Sequence, residues 1–304
     1  MNIWEYPEEI KIREVGPRDF QGMTVEERVE VIDTLTGCGY ERIEVGSFVT
    51  AGYRSEDRDV AEIIDRIEHK PGMTYSVMVS NPEEAERALK TLPDELTLLM
   101  SASESHNRWL TGRGIAESLI GFSKIGDLAR QQGVTVSALI TSAFGCAYEG
   151  RVPRSGVIDL ASRMDNMGIA QVTLSDTVGM ANPAQVADMV RTVRMTVPMV
   201  HLGMHFHDRR GMALANMVMA IISGGIRFDT AVGGIAPHLL TEVAGSQGAS
   251  EEAVVCMDEM NIQTLLDAAE LAKAANMLEE FRPGSVASKL LLYTETMAAP
   301  GTHD

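Results

Sequence analysis

The sequence predicts one closed (β/α)8 barrel followed by a short additional helical segment, and three observations support this fold class. Eight short runs rich in β-branched and aliphatic residues alternate with eight longer segments of helical periodicity, as in repeated βα units. A length of 304 residues suits a single barrel. The first predicted strand leads into Gly16-Pro17-Arg18-Asp19 and not into the Gly-rich phosphate loop typical of an open doubly wound sheet.

The predicted elements follow the chain in regular alternation. The predicted strands are residues 10–15, 42–47, 74–79, 96–101, 135–140, 171–175, 200–207 and 228–232. The predicted helices are residues 24–37, 56–68, 82–90, 115–132, 155–167, 183–196, 211–223 and 250–260. A further amphipathic helix over 263–279 completes a catalytic domain of residues 1–285, which leaves residues 286–304 as a C-terminal tail.

Several helix ends have recognisable local chemistry. Asn81-Pro82 and Asn182-Pro183 each place an Asn at a predicted N-cap and a Pro at the first helical position, where its missing N–H costs nothing. Gly133 and Gly168 stand where a helix is expected to end in a left-handed residue.

Composition limits the partners. A net charge of −17 argues against nucleic acid, which needs a basic surface, although a metal and a few arginines could still attract a small anion. The three cysteines are odd in number and scattered, which favours reduced thiols and a cytoplasmic location. No apolar run is long enough to span a membrane, and the N-terminus does not have the pattern of a secretory signal.

Charged residues at the carboxyl ends of the predicted strands form a candidate metal site. His205 and His207 are two apart on a strand, so their imidazoles project to the same side. Asp19 follows strand 1, and strands 1 and 7 flank strand 8, so all three side chains are expected to converge. The alternative is two hydrogen-bonded histidines in a polar barrel interior. The ligand types fit several divalent cations, and the lack of a thiolate favours Mg²⁺ or Mn²⁺.

Other polar residues have two interpretations. Arg18 could stabilise developing negative charge on a carbonyl or enolate oxygen, or form a structural ion pair with Glu44 or Asp176. Glu44 carries the same ambiguity, and pairing with Arg18 fits both cases. The Gly-rich run 233–238 could be mobile over the site, bind an anion through its amides, or be a plain turn. The polar run 103–108 is rich in hydrogen-bonding groups and could also be a solvated loop.

An ordered set of motifs resembles one family. The motifs are Glu14-Val15-Gly16-Pro17-Arg18-Asp19, Ser103-Glu104, Gly145-Cys146-Ala147-Tyr148-Glu149-Gly150, Ser175-Asp176-Thr177-Val178-Gly179 and His205-Phe206-His207-Asp208. Together they resemble hydroxymethylglutaryl-CoA lyase, within the metal-dependent barrel superfamily that also contains isopropylmalate, homocitrate and citramalate synthases. At 304 residues, the chain is expected to lack the C-terminal extension usual in those synthases.

The resemblance implies a function and a set of site residues. It implies a retro-Claisen cleavage of a 3-hydroxy-3-methylglutaryl-CoA-like thioester, and we expect a homo-oligomer. Asp19, His205 and His207 would bind the divalent cation, Arg18 would stabilise the enolate, and Glu44 and Asp176 would support the site. The substrate is expected to contact Gln21, Ser103 and Glu104.

Two departures from the family pattern leave other functions open. The family's loop cysteine, in a Gly-Gly-Cys-Pro context, is absent from Gly233-Gly234-Ile235-Ala236-Pro237-His238, so His238 is the predicted replacement as proton donor. The family's ligand Asn is also absent, and Gln247 is predicted to bind the metal instead. The alternatives are a condensing acyltransferase or aldolase acting on a 2-oxo acid, and a metal-binding barrel without turnover.

Overall fold

The fold is a closed parallel barrel whose strands follow one another in chain order, from β1 to β8 and back to β1. The computed structural model describes residues 7–20, 22–52, 57–169, 171–235, 247–291 and 293. The strands are β1 Lys11–Glu14, β2 Arg42–Ser47, β3 Thr74–Val79, β4 Glu95–Ser101, β5 Thr135–Thr141, β6 Gln171–Asp176, β7 His201–Phe206 and β8 Arg227–Thr230. The predicted fold class is confirmed.

Helices surround the barrel and alternate with its strands along the sequence. In the part of the chain that the structure describes they are α1 Val25–Thr36, α2 Asp57–Arg66, α3 Pro82–Ala88, α4 Glu104–Thr111, α5 Ile115–Gln132, α6 Arg154–Asn166, α7 Pro183–Thr196, α8 Ala213–Ile222, α9 Ser250–Glu259 and α10 Ala268–Phe281. Short 3-10 turns occupy Gly16–Asp19, Leu89–Thr91 and Val232–Gly234. No helix among the described residues is both long and apolar enough to cross a membrane.

The predicted helix ends are present. The side chains of Asn81 and Asn182 accept hydrogen bonds from the backbone N–H groups of Glu84 and Gln185, so each caps the helix that its Pro begins. Gly133 and Gly168 have φ angles of +71° and +79°. Local capping chemistry therefore fixes where these helices begin and end.

Helix α4 was not predicted, because the run 103–108 looked like a polar loop. Ser103 caps the helix by accepting a hydrogen bond from the His106 N–H, and Gly112 ends it in the left-handed conformation. The apolar residues of α4 come only in its last turn, and the other residues of its buried face, such as His106 and Asn107, are polar, so an apolar pattern alone does not reveal the helix. The predicted helix over 263–279 begins later, at Ala268, because Asp267 is its N-cap.

The first residues of the predicted tail pack against the barrel. The Ala287 N–H donates to the Gly233 carbonyl oxygen at 2.8 Å, and Lys289 pairs with Asp208 at 2.6 Å. Ser288 and Leu291 are buried. These contacts hold the chain against the loop that follows β8, beside the carboxyl ends of the strands.

The barrel interior holds a buried network of charged side chains around Arg13. Arg13 donates to both carboxylate oxygens of Asp229, at 3.0 and 2.5 Å, and it lies 3.8 Å from Glu44 and 3.7 Å from Glu95. The neighbouring carboxylates outweigh the desolvation caused by burial and raise the pKa of Arg13 above its usual value. The guanidinium is thus a fixed cation in the barrel interior.

Asp229→Asn is expected to lower the free energy of unfolding by about 3 kcal/mol, because it leaves the buried Arg13 short of a partner. Urea denaturation would measure the loss. The matched control is Asp159→Asn, which removes an exposed partner of Arg163 on α6 and should cost less than about 0.5 kcal/mol. Equal losses in the two variants would contradict the assignment.

Candidate active site

A cavity opens at the carboxyl ends of the strands, where catalytic groups of such barrels are found. Five of the predicted site residues line it, namely Arg18, Asp19, His205, His207 and Gln247. Its remaining lining residues are Met78, Leu99, His106, Trp109, Leu110, Leu139, Thr141, Ser175, Thr177 and Arg209. The structure therefore brings together side chains that are far apart in the sequence.

Arg18 and Asp19 enter the cavity from the 3-10 turn that follows β1. Arg18 Nη1 donates to Glu44 Oε1 at 2.6 Å, so the anticipated ion pair is present, and Arg18 Nε lies 3.5 Å from Asp19 Oδ2. Burial opposes the charged form, but the charges of Glu44 and Asp19 outweigh it and raise the pKa of Arg18. Burial raises the pKa of Asp19 to about 7 despite the nearby guanidinium.

His205 and His207 present their rings to the same cavity from β7 and the residue just beyond it. Their ring centroids are 5.0 Å apart, and both side chains are buried. Burial lowers both pKa values well below the usual range, and nearby positive charge, including that of Arg18, adds to the effect. Both imidazoles are therefore neutral, which is the form that binds metals.

Gln247 closes the same side of the cavity by pairing with His207 in an isolated antiparallel bridge. Its Nε2 donates to Asp19 Oδ2 at 2.7 Å and to the Ile235 carbonyl oxygen at 2.8 Å. Its buried Oε1 accepts no hydrogen bond from the described residues. The two hydrogen bonds donated by Nε2 thus orient the amide, and Oε1 is available to bind another partner.

The unsatisfied polar atoms at this end of the cavity fit a divalent cation. Neither ring nitrogen of His205, nor Nδ1 of His207, makes a well-formed hydrogen bond to the described residues, although the Asp229 backbone lies close to His205. Buried polar atoms without partners are costly, and a cation would satisfy them together. Two imidazoles, an amide oxygen and a carboxylate are ligand types compatible with several divalent cations. Among the described residues no three His, Cys, Asp or Glu side chains are already gathered as ligands, since Asp19 contacts Gln247 and Arg18 instead.

Asp176 has a buried carboxylate but does not line the cavity. It accepts hydrogen bonds from the backbone N–H groups of Met180, at 2.7 Å, and Ala181, at 3.0 Å. Burial raises its pKa to about 6. Its neighbours Ser175 and Thr177 do line the cavity, so the contacts of Asp176 hold the loop that positions them.

Ser103 and Glu104 also lie outside the cavity lining. Ser103 is buried as the N-cap of α4, and its hydroxyl lies 3.1 Å from the Cys146 thiol. Glu104 accepts a hydrogen bond from the Ile115 N–H at 2.9 Å and pairs with Arg108 on the surface. Both residues orient α4, which brings other side chains to the cavity. The predicted residues Gln21 and His238 lie outside the described residues.

The HMGL-like family matches residues 10–278 of the chain. The chain belongs to this family. A hydroxymethylglutaryl-CoA lyase of Bacillus subtilis is 35% identical over 280 residues, which cover 90% of this chain and 94% of that protein. A Pseudomonas aeruginosa protein named 3-hydroxy-3-isohexenylglutaryl-CoA/hydroxymethylglutaryl-CoA lyase is 31% identical over 277 residues, covering 90% of this chain and 92% of that protein.

Solved structures agree with this assignment. The Bacillus subtilis HMG-CoA lyase superposes with a TM-score of 0.90 at 33% identity, covering 95% of this chain and 99% of that one. An Acinetobacter baumannii HMG-CoA lyase, solved with coenzyme A and 3-methylmalate, gives a TM-score of 0.87 at 29% identity, covering 98% and 97% of the two chains. This HMGL-like protein is therefore an enzyme of the carbon–carbon lyase class.

The loop after β8 departs from the family pattern at the position of the expected cysteine. Ile235 occupies it, and its side chain is buried. Gly233 and Gly234 have φ angles of +65° and +66°, and their backbone turn directs the Ile235 carbonyl oxygen to Gln247. In this HMGL-like enzyme the residue therefore positions an amide and carries no titratable proton.

Sequence reasoning missed most of the opposite side of the cavity. It also missed Arg209, which lines the cavity on the β7 side, just beyond the His-Phe-His-Asp motif, and whose pKa is lowered by burial. The apolar lining residues on β3, β4 and β5 were missed because they look like ordinary core residues. Their inward direction follows from strand alternation once one inward residue of each strand is known.

His106 is a polar residue on that side, as is Thr141 at the end of β5. Its Nδ1 lies 2.9 Å from Ser101 Oγ and 3.0 Å from Ser142 Oγ. Its ring packs against Trp109 and Tyr148 at centroid distances of 5.7 and 5.8 Å, and those two rings also contact each other, at 6.1 Å. Burial lowers its pKa to about 4. The ring is therefore neutral and held in one orientation.

Proposed function

We propose that this lyase cleaves a 3-hydroxy-3-methylglutaryl-CoA-like thioester, with Mg²⁺ or Mn²⁺ bound by Asp19, His205, His207 and Gln247. The observation that carries the proposal is the combination of the fixed cation Arg18 with buried, unsatisfied nitrogen and oxygen ligands at one end of the cavity. The names of the relatives support a coenzyme A thioester as the substrate.

The reaction requires that negative charge move from the tertiary hydroxyl to a thioester enolate. When bound, a divalent cation supplies a Lewis acid that favours ionisation of the hydroxyl group. Arg18 is held by Glu44, so its guanidinium can stabilise developing oxygen charge without rearranging first. Glu44 thus acts as a positioning residue, and Asp176 does the same for the loop of Ser175 and Thr177.

The burial of the two imidazoles keeps bulk water away from the reacting end. His205 and His207 are exposed by only 1% and 8%. A low local dielectric strengthens the interaction of Arg18 with the enolate oxygen. The proton that the enolate carbon finally takes remains assigned to His238, as a prediction.

Incubation of the purified protein with 3-hydroxy-3-methylglutaryl-CoA and Mg²⁺ or Mn²⁺ is expected to release acetyl-CoA and the corresponding 3-oxo acid. Both products can be followed by chromatography. A chelator should abolish the reaction and excess metal should restore it, because the ligands without a cation leave the hydroxyl group unactivated. Citramalyl-CoA, and acetyl-CoA with a 2-oxo acid, serve as comparison substrates. If neither 3-hydroxy-3-methylglutaryl-CoA nor citramalyl-CoA is cleaved, the proposal is wrong, and consumption of acetyl-CoA with the 2-oxo acid would favour the condensing alternative.

A further inference from the structure

One wall of the active-site cavity is apolar, and it lies across the barrel mouth from the candidate metal ligands. We call Met78, Leu99, Leu110, Leu139 and Trp109 the apolar wall. In a closed barrel of eight strands in chain order, β3, β4 and β5 lie opposite β7, β8 and β1. The aliphatic residues of β3, β4 and β5 in this wall are therefore opposite the strands that supply the histidines and Asp19.

The apolar wall is not part of the main core of the protein. Its four aliphatic side chains form a separate cluster with Val49, and Trp109 packs against that cluster. They are only 1–4% exposed, and what they do expose faces the cavity. Covering this surface with an apolar ligand group is favourable in proportion to the area removed from water.

The polar residues beside the wall, His106 and Thr141, do not add a charge to it. His106 is neutral because burial lowers its pKa to about 4, and two serine hydroxyls contact its Nδ1. The cationic residues that the structure describes in the cavity lining, Arg18 and Arg209, follow β1 and β7 at the opposite end. A carboxylate placed against the apolar wall would thus have no cation among those lining residues.

From this division of the cavity we propose that the enzyme selects 3-hydroxy-3-alkylglutaryl thioesters whose C3 substituent is apolar and larger than methyl, and that the apolar wall binds this substituent. The inference rests on the proposed function. The hydroxyl group of C3 must stay with Arg18 and the metal ligands, so a second group on the same carbon reaches across the mouth. A methyl group is too short to cover side chains from three strands and a helix.

The reaction itself is unchanged by the larger substituent. The C2–C3 bond breaks, its electron pair stays on C2 as the thioester enolate, and the hydroxyl oxygen becomes a ketone as its proton is removed. C2 then takes a proton. The products are an acetyl thioester and a 3-oxo acid that keeps the alkyl group, and no oxidant or reductant is needed.

The test compares kcat/KM for 3-hydroxyglutaryl-CoA substrates that carry methyl, n-propyl or 4-methylpentyl at C3. We expect about 10-fold or more higher kcat/KM for the larger groups, because each buried methylene adds discrimination. A value that is highest for methyl and falls with length would overturn the inference and leave the proposed function intact. Cleavage of no substrate would overturn both.

A filling variant locates the substituent. Leu99→Phe should lower kcat/KM for the larger substrates about 10-fold and change that for the methyl substrate less than about twofold. The control is Leu98→Met, on the same strand but packed in the main core on the other face. Equal losses for all three substrates would mean that the wall holds the thioester arm, which contradicts the inference. The wild-type series decides the matter if Leu99→Phe does not fold.

Discussion

Arg18→Gln is expected to lower kcat by about 10²- to 10³-fold while divalent-metal binding is retained. Arg18 lines the cavity as a buried cation whose position is fixed by a 2.6 Å hydrogen bond to Glu44. Removing one preorganised donor to developing oxygen charge typically costs this much. Steady-state kinetics with saturating metal would measure the loss.

The choice of variants separates an effect on catalysis from an effect on folding. The amide of Gln can still donate to Glu44, whose carboxylate would otherwise be buried without this partner. Arg18→Lys should not restore full activity, because an ammonium group cannot hold Glu44 and face the substrate with the same planar geometry. Arg108→Gln, on the surface of α4, is the control and should keep kcat unchanged. If Arg18→Gln keeps kcat within about threefold of wild type, the role assigned to Arg18 is wrong.

The order of the elements could be predicted because local rules specify it. Strand periodicity, Asn-Pro starts and Gly ends each act within a few residues, and they gave α7 its bounds. The placement of Asp19, His205 and His207 in the lining of one cavity also followed, since β1 and β7 both pair with β8. Closure of the barrel in chain order was enough to bring these residues to the same end of the barrel.

The details that could not be predicted depend on contacts between distant residues. The sequence places Asp176 and Glu104 at a strand end and a helix start, yet backbone N–H groups of later segments hold both carboxylates. Arg13 looks like a misplaced charge in a strand until Asp229, 216 residues away, is seen beside it. Similarly, no sequence pattern distinguishes Leu99, which faces the cavity, from Leu98, which faces the main core.

His207→Ala is expected to weaken divalent-metal binding by more than about 100-fold, since even the loss of residues that only orient a ligand costs 10- to 100-fold. The buried Nδ1 of His207 has no hydrogen-bond partner among the described residues. The same is true of the buried Oε1 of Gln247, which pairs with His207 in the isolated bridge. Calorimetric titration with Mn²⁺ would measure the affinity. His205→Ala should have a similar effect.

Metal-induced stabilisation gives a second measurement that does not depend on turnover. At a free metal concentration 100 times the wild-type Kd, binding should stabilise the wild-type fold by about 2.7 kcal/mol, whereas a 100-fold weaker site gains only about 0.4 kcal/mol. Because the quantity is a difference between metal-bound and metal-free protein, packing lost with the imidazole cancels. His201→Ala is the matched control, because His201 is exposed at the other end of β7. If His201→Ala and His207→Ala respond alike, the histidines at the barrel mouth do not bind the cation.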